Sequence, residues 1–239
     1  MRYLLIGRGK MGRLLQASAA ADGDQVEAVF GHDDLDGLAR LGRVADVVID
    51  FSRPEALAEI CSYVRRTGTP LLSGTTGYAP EQLALLRSLG SCAPVLWSAN
   101  YSLGVAVLVR ALQTVADVLK PDFDIEITET HHNQKADAPS GTAKLLLEAI
   151  DPAHALTPVY GRQGSCGRRQ KAEVGVHALR GGTVAGTHTV HFFGPDEELE
   201  LTHRAASRQI FVRGALHMAR LLAERPNGVY DLQTILFGE

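Results

Sequence analysis

Arg2-Tyr3-Leu4-Leu5-Ile6-Gly7-Arg8-Gly9-Lys10-Met11-Gly12-Arg13 is the stretch that decides the fold. Residues 2–6 form an apolar run of strand length, and a helix begins at Arg13. Between them Gly7, Gly9 and Gly12 spell G-x-G-x-x-G. In that setting each glycine has its own use: a tight turn, close approach of the backbone to a pyrophosphate, and close packing of helix on strand. The free N–H groups of the helix start then face the phosphates. A plain strand–helix turn can carry the same spacing, so the meaning of the motif depends on the chain beyond Arg13.

Beyond Arg13 strands and helices alternate. Residues 26–30 read as a second strand. Where the fingerprint expects an acidic residue for the adenosine ribose, the chain has Phe30-Gly31-His32-Asp33-Asp34. The two acids come late and His32 could meet a 2′-phosphate, so the choice between NAD and NADP stays open. Residues 45–51 are almost continuously apolar, as a parallel strand buried on both faces should be. Ser52-Arg53-Pro54-Glu55 then opens a helix. Residues 69–73 give a fourth strand that ends in Gly74-Thr75-Thr76-Gly77. Residues 93–99 give a fifth, followed by Asn100-Tyr101-Ser102, and a long apolar helix spans 105–119. The first half is therefore predicted to be α/β, a Rossmann-type doubly wound parallel sheet, with ligands at the carboxyl ends of its strands.

The second half has another grammar. Phe123, Ile125 and Ile127 alternate with Asp124, Glu126 and Thr128, the period of a half-buried strand. The strand runs into His131-His132, with Lys135 close behind, turns at Asp137-Ala138-Pro139, and enters a helix at Ser140-Gly141-Thr142. Pro139 disfavours helical geometry at Ala138, and Ser140 is a good N-cap. A general acid, a cation and a helix start that attracts carboxylates lie within about a dozen residues. That grouping suits a small anionic substrate that takes up a proton, although paired histidines and Ser-Gly-Thr caps also occur as ordinary surface. If the strand stays extended, Glu129 and His131 project to one side and His132 to the other. Both histidines can serve one ligand only if the strand breaks there, and Glu129 could orient His131. Residues 161–169, rich in Gly and Arg, are either a mobile loop over a cleft or plain surface. Strands return at 174–179, 184–193 and 199–205, with Gly181-Gly182 as a hairpin turn, so the second domain is expected to be an open mixed β-sheet. A helix over 211–224 comes next. Arg208 at its start either holds a carboxylate or lies on the surface.

The bulk properties exclude several classes. A net charge of −3 over 239 residues leaves no basic footprint for nucleic acid or a membrane surface. Cys61, Cys92 and Cys166 are odd in number and widely spaced, against a disulfide framework or a zinc site. No metal is expected. The chain opens directly on strand residues, and no apolar run approaches the roughly 20 residues that span a bilayer. A cytoplasmic protein is expected.

Glu129-Thr130-His131-His132-Asn133-Gln134-Lys135-Ala136-Asp137-Ala138-Pro139-Ser140-Gly141-Thr142-Ala143 resembles the signature of the dihydrodipicolinate reductase family, E-x-H-H-x-x-K-x-D-A-P-S-G-T-A, at every fixed position. Asp50-Phe51-Ser52-Arg53-Pro54-Glu55 is similar to the family's D-F-[ST]-x-P-E. The run from Ser98 to Gly104 is similar to A-P-N-[FY]-S-x-G, with Ser98 and Ala99 in place of Ala and Pro. The run from Arg180 to His188 resembles R-x-G-x-x-x-G-x-H.

The resemblance implies an oxidoreductase of lysine and diaminopimelate biosynthesis that reduces 4-hydroxy-tetrahydrodipicolinate, a small dicarboxylate, with NADH or NADPH. It implies cofactor contacts at Gly7, Arg8, Gly9, Lys10, Met11 and Gly12, with Gly74, Thr75, Thr76, Ser98, Ala99, Asn100 and Tyr101 around the nicotinamide. His131 is the implied proton donor and Lys135 the second catalytic residue. His132, Ser140, Gly141, Thr142 and Arg208 are the implied substrate contacts, and His188 is structural or near the cleft. A dinucleotide domain of residues 1–101 and 209–239, a substrate and oligomer domain of 102–208, a C-terminal helix returning to the first domain, closure on binding and a homotetramer are implied as well. Two other readings stay open. Another two-domain dehydrogenase, of aspartate or homoserine type, would share the first half but has no reason to carry His-His-x-x-Lys before Ser-Gly-Thr. A non-catalytic nucleotide-sensing module would keep residues 7–12 without needing a proton donor.

Overall fold

In the computed structural model, strand β1 (Arg2–Ile6) is buried from Tyr3 onward and heads a six-stranded sheet. Its companions are β2 (Gln25–Phe30), β3 (Val47–Asp50), β4 (Leu71–Ser73), β5 (Pro94–Trp97) and β11 (Gly228–Tyr230). The order is β11-β5-β4-β3-β1-β2, and every pairing is parallel. The chain leaves β1 for β2 on one side and then works outward through β3 and β4 on the other. The point where that direction reverses lies between β1 and β3, where open α/β sheets bind ligands.

Helix α1 (Lys10–Ala21) starts at Lys10, three residues before the predicted Arg13. Gly9 is its N-cap in extended backbone, so Lys10, Met11 and Gly12 form the first turn themselves. The helix can start this early because Gly12 lies against β1's exit: a Cβ there would sit 1.8 Å from the Gly7 carbonyl oxygen. Helices α2 (Leu57–Thr67) and α3 (Pro80–Ser88) complete the alternation.

The chain, described over residues 1–238, divides into two units, Met1–Ser102 with Gln209–Glu239, and Leu103–Arg208. The last segment belongs to the first unit. Helix α6 (Gln209–Ala223) packs on α1 and on β3, β4 and β5. Arg220 pairs with Asp22 and Asp24, and Asp24 also holds the amino terminus at 2.6 Å. Helix α7 (Leu232–Phe237) comes after β11.

The second unit contains α4 (Leu103–Leu119), β6 (Asp124–His131), α5 (Gly141–Ile150), β7 (Thr157–Val159), β8 (Glu173–Arg180), β9 (Gly186–Phe193) and β10 (Glu198–Ala205). Its sheet runs β10-β9-β6-β8-β7 and is mixed. The hairpin expected at Gly181-Gly182 is absent: β8 and β9 do not pair but flank β6, one parallel and one antiparallel. A glycine pair marks a reversal of direction, not which strands meet. Residues 181–185 instead cross the end of β6, where Gly181 N–H donates to the His131 carbonyl at 2.9 Å and Asn133 N–H to that of Gly182 at 3.2 Å.

Both helices pack on one face, against Ile125, Ile127, Val174, Val176, Val190 and Phe192. On the other face Glu126 accepts from both Arg162 and Arg169, at 2.8 and 3.2 Å, and lies 2.7 Å from His177 Nε2. Burial opposes its charge, yet the hydrogen bonds of Arg162, His177 and Arg169 bring its pKa down to about 2. The 161–169 segment is thus pinned to the sheet by its arginines, which bears on the reading of it as a mobile loop. Gly175 makes room: a Cβ there would lie 1.7 Å from Glu126 Oε2.

The seat of α6 offers a test. A Cβ on Gly214 would fall 1.7 Å from the Tyr101 carbonyl oxygen, a backbone atom that cannot swing aside. Gly214→Ala should cost about 1–3 kcal/mol by overpacking. At this chain length that lowers the melting temperature by roughly 2–4 °C per kcal/mol, read by calorimetry against wild type.

Candidate active site

Register brings the second unit's chemistry together. Along β6 the inward residues are Ile125, Ile127, Glu129 and His131. Glu129 stands opposite His188 on β9, and His131 opposite Arg180 on β8. The face that is core at one end therefore carries four ionisable groups at the other. Glu129 is wholly buried at 0 % exposure. Its Oε2 accepts His131 Nδ1–H at 2.5 Å, and Arg180 reaches both oxygens at 2.8 Å. Ser140 N–H donates to Oε1 at 3.0 Å. Burial alone would raise its pKa, but Arg180, His131 and the Ser140 amide outweigh burial and hold it below the usual carboxylate range.

That carboxylate fixes the imidazole. With the Nδ1 proton bound to Glu129, Nε2 is the atom that receives or releases a proton, the arrangement that orients a general acid. Gly186 leaves space beside it: a Cβ there would lie 3.1 Å from His131 Nε2, at a backbone φ of +154°. His188 lies edge-on to His131, ring centroids 5.0 Å apart. Burial, and then the neighbouring His131, lower its pKa to about 4. His188 is therefore neutral near pH 7 and sits 3.0 Å from Ser140 Oγ. The resemblance set His188 as structural or near the cleft and matched Arg180, but no spacing joined either to Glu129 and His131; the strand register does.

The strand ends at His131, and His132, half-buried, is the first residue beyond it. Lys135 pairs with Asp137 at 2.8 Å. Ser140 caps α5: its Oγ accepts Ala143 N–H at 3.2 Å, its N–H goes to Glu129 and its hydroxyl meets His188. With those groups engaged it supports the site from behind. Gly141 and Thr142 form the first turn of α5, and a Cβ on Gly141 would meet nothing within 4 Å, an open approach to the helix start. Arg208 is exposed in the turn between β10 and α6 and is not drawn into this cluster.

In the first unit, a cavity of about 870 Å³ opens at the switch point, lined by Gly7, Arg8, Gly9, His32, Asp33 and Ser52 among others. A Cβ on Gly7 would strike the Phe51 carbonyl oxygen at 2.3 Å, whereas one on Gly9 would meet nothing within 4 Å. The space ahead of α1 is open, and its chemistry fits a dinucleotide pyrophosphate at a helix N-terminus. Lys10 is exposed and Met11 half-buried at that turn. The acids left unassigned by the sequence hold Arg8, Asp33 at 3.3 Å and Asp34 closer still.

Gly74, Thr75 and Thr76 come directly after β4, and Ser98, Ala99, Asn100 and Tyr101 after β5, the next strand in the sheet. Ser98 N–H donates to the Ser73 carbonyl at 3.1 Å. Tyr101 is buried, its hydroxyl donating to the same carbonyl at 2.7 Å, so only its backbone is left for a ligand. Thr75 is likewise buried; Thr76 and Ala99 are exposed.

A parallel sheet with a glycine turn at its switch point, joined to a unit that carries a carboxylate-oriented histidine, defines the class: nucleotide-dependent oxidoreductases of two units. The match to known proteins is narrower. Models of the dihydrodipicolinate reductase N-terminus and C-terminus match residues 1–101 and 104–236. A 4-hydroxy-tetrahydrodipicolinate reductase of an Exiguobacterium species is 40% identical over 98% of this chain and 95% of its own length. That of Clostridium tetani is 39% identical over 99% and 97%. The fold is similar to that of the dipicolinate-bound dihydrodipicolinate reductase from Paenisporosarcina sp. TG-14, with a TM-score of 0.79 at 20% identity over 99% of both chains. The chain belongs to the dihydrodipicolinate reductase family. Members are NAD(P)H-dependent oxidoreductases.

Two substitutions test the cluster. Glu129→Gln should lower kcat at least about tenfold, since the amide keeps one acceptor oxygen and turns its NH₂ toward N–H donors that the second carboxylate oxygen now accepts; steady-state kinetics checks it. The folded pKa of His188 lies below its unfolded value of about 6.5, so the unfolded chain binds the extra proton. Stability is present at pH 7 and falls as pH drops from about 6.5 toward about 4. Melting temperatures at pH 7.5 and 5.0 should differ less in His188→Asn than in wild type.

Proposed function

We propose that this chain catalyses the reduction of 4-hydroxy-tetrahydrodipicolinate to tetrahydrodipicolinate with NADH or NADPH, a step of lysine and diaminopimelate biosynthesis. The observation that carries the proposal is the buried Glu129–His131 pair at the end of β6, with the open start of α5 in the same unit. The reaction delivers a hydride and a proton to a cyclic dicarboxylate, and the substrate's 4-hydroxyl departs as water. The bound cofactor supplies the hydride. His131 Nε2 supplies the proton, and Glu129 stabilises the charged imidazole that precedes transfer. Lys135 is the second catalytic cation and steadies negative charge near the ring. His132 and the first turn of α5, at Gly141 and Thr142, hold the carboxylates.

In the first unit, Gly7 to Gly12 hold the pyrophosphate, and the turns at 74–76 and 98–101 hold the nicotinamide. Arg8 offers a cation for a 2′-phosphate, while Asp33 and Asp34 offer acceptors for a 2′-hydroxyl, so both cofactors stand in the proposal. The proposal includes a cytoplasmic homotetramer built on the second sheet. Its support is the face that neither α4 nor α5 covers, where Leu179 and Phe193 are 52% and 40% exposed. Among the described residues no helix is long and apolar enough to cross a membrane.

The test is turnover. Substrate generated in place from pyruvate and aspartate semialdehyde by a dihydrodipicolinate synthase should drive oxidation of NADH or NADPH. His131→Ala and Lys135→Ala should each cut kcat by at least about 10²-fold. Near-wild-type rates in both variants would remove the assignment of the acids. Folded wild type that binds NADH but turns over neither cofactor would favour a dehydrogenase of another substrate or a sensing module.

A further inference from the structure

Asp50 ends β3 at the carboxyl edge of the parallel sheet and is 0 % exposed. A buried carboxylate is costly unless donors surround it, and here they do. Oδ1 accepts the Ser52 N–H at 3.1 Å and the Ser52 hydroxyl. Oδ2 accepts the Ser73 hydroxyl at 2.7 Å and the Tyr78 hydroxyl at 3.0 Å. Ser73 enters the Gly74-Thr75-Thr76-Gly77 turn and Tyr78 leaves it, so one carboxylate grips that turn at both ends.

The grip extends further. Thr75 Oγ1 accepts the Ser52 N–H at 2.9 Å, and the Thr75 carbonyl accepts Trp97 Nε1–H at 2.9 Å. The Ser73 carbonyl accepts from Tyr101 OH and from Ser98 N–H. The turn after β4 and the turn after β5 thus share one polar frame centred on Asp50. Apolar packing could hold the strands themselves. What it could not do is hold two irregular turns with their backbone edges turned to a ligand, because their peptide groups need fixed partners. Gly74 adds a steric condition: a Cβ there would lie 2.2 Å from the Phe51 ring, so the turn is pressed onto the residue next to Asp50.

We propose that Asp50 is a positioning residue for the nicotinamide end of the cofactor, acting through the turns at 74–77 and 98–101. The inference rests on the proposed role of those turns in holding the nicotinamide. Burial pushes the Asp50 pKa up, and the hydroxyls of Ser52, Ser73, Thr75 and Tyr78 oppose it.

Asp50→Asn tests it, since the amide keeps the size but turns an NH₂ toward hydroxyl donors. Binding of NADH is compared with binding of ADP-ribose, which carries the adenosine and pyrophosphate but no nicotinamide. NADH should bind about tenfold more weakly, the scale of a buried hydrogen bond left unmade, and ADP-ribose within about twofold of wild type. KM for NADH should rise while KM for the dicarboxylate stays. Equal loss of both ligands would make Asp50 a stabiliser of the fold only, and unchanged NADH affinity would overturn the proposal outright. If Asp50→Asn does not fold, Tyr78→Phe removes a single donor and should still weaken NADH selectively; no selective loss there overturns it too. Wild-type turnover separates the two readings: inactive wild type with selective NADH loss in Asp50→Asn sinks the reduction and leaves the positioning role standing.

Discussion

A carboxylate with no access to water organises one end of the second sheet. Glu129 would be untenable alone on that apolar face, so it must be met by charge and by N–H groups. Arg180 supplies the charge from β8, Ser140 an amide from the start of α5, and His131 an imidazole from two residues along β6. Each partner comes from a different segment, so making that site is the same event as assembling the sheet and docking its helix. The sheet's other carboxylate hub, Glu126, lies on the opposite face and pins a long surface segment instead.

The parallel sheet meets a related problem differently. Its strands are short and nearly featureless in polarity, and the ligand-facing work falls to turns at their carboxyl ends. Glycines make the turns possible where backbone meets backbone, at Gly7 and Gly12. Polar side chains behind them, Asp50, Ser73 and Tyr78, keep the turns still. The two units thus use one device, a satisfied buried carboxylate, to give irregular backbone a defined shape.

Much of this could be read from the residues in order. Alternation at 123–128 marked β6, apolar runs marked β3 and β5, and Gly7 to Gly12 marked the first turn, because period and glycine spacing are local properties. The break after His131 was also anticipated as the condition for two histidines to act together. What was not legible depends on pairing at a distance. Gly181-Gly182 looks like a hairpin, yet its strands are separated by β6, since a turn signal cannot say which edge is already taken. For the same reason Arg180 and His188 could not be joined to Glu129 before the register was known. Asp33 and Asp34 were unplaceable because their partner, Arg8, lies on another turn, and Ser140 is engaged by contacts no local pattern reveals.

Helix α6 belongs to the unit whose first strand was made more than two hundred residues earlier. The second unit is continuous in sequence; the first is not. On a ribosome, which delivers the chain from its amino end, the second unit can close while the first still lacks the helix that covers β3 to β5. The nascent parallel sheet therefore waits with the seat of Val212, Leu216 and Met218 unfilled. The cofactor-binding half, begun first, is finished last, and a ribosome that stops short of residue 209 releases a chain able to complete only its second half.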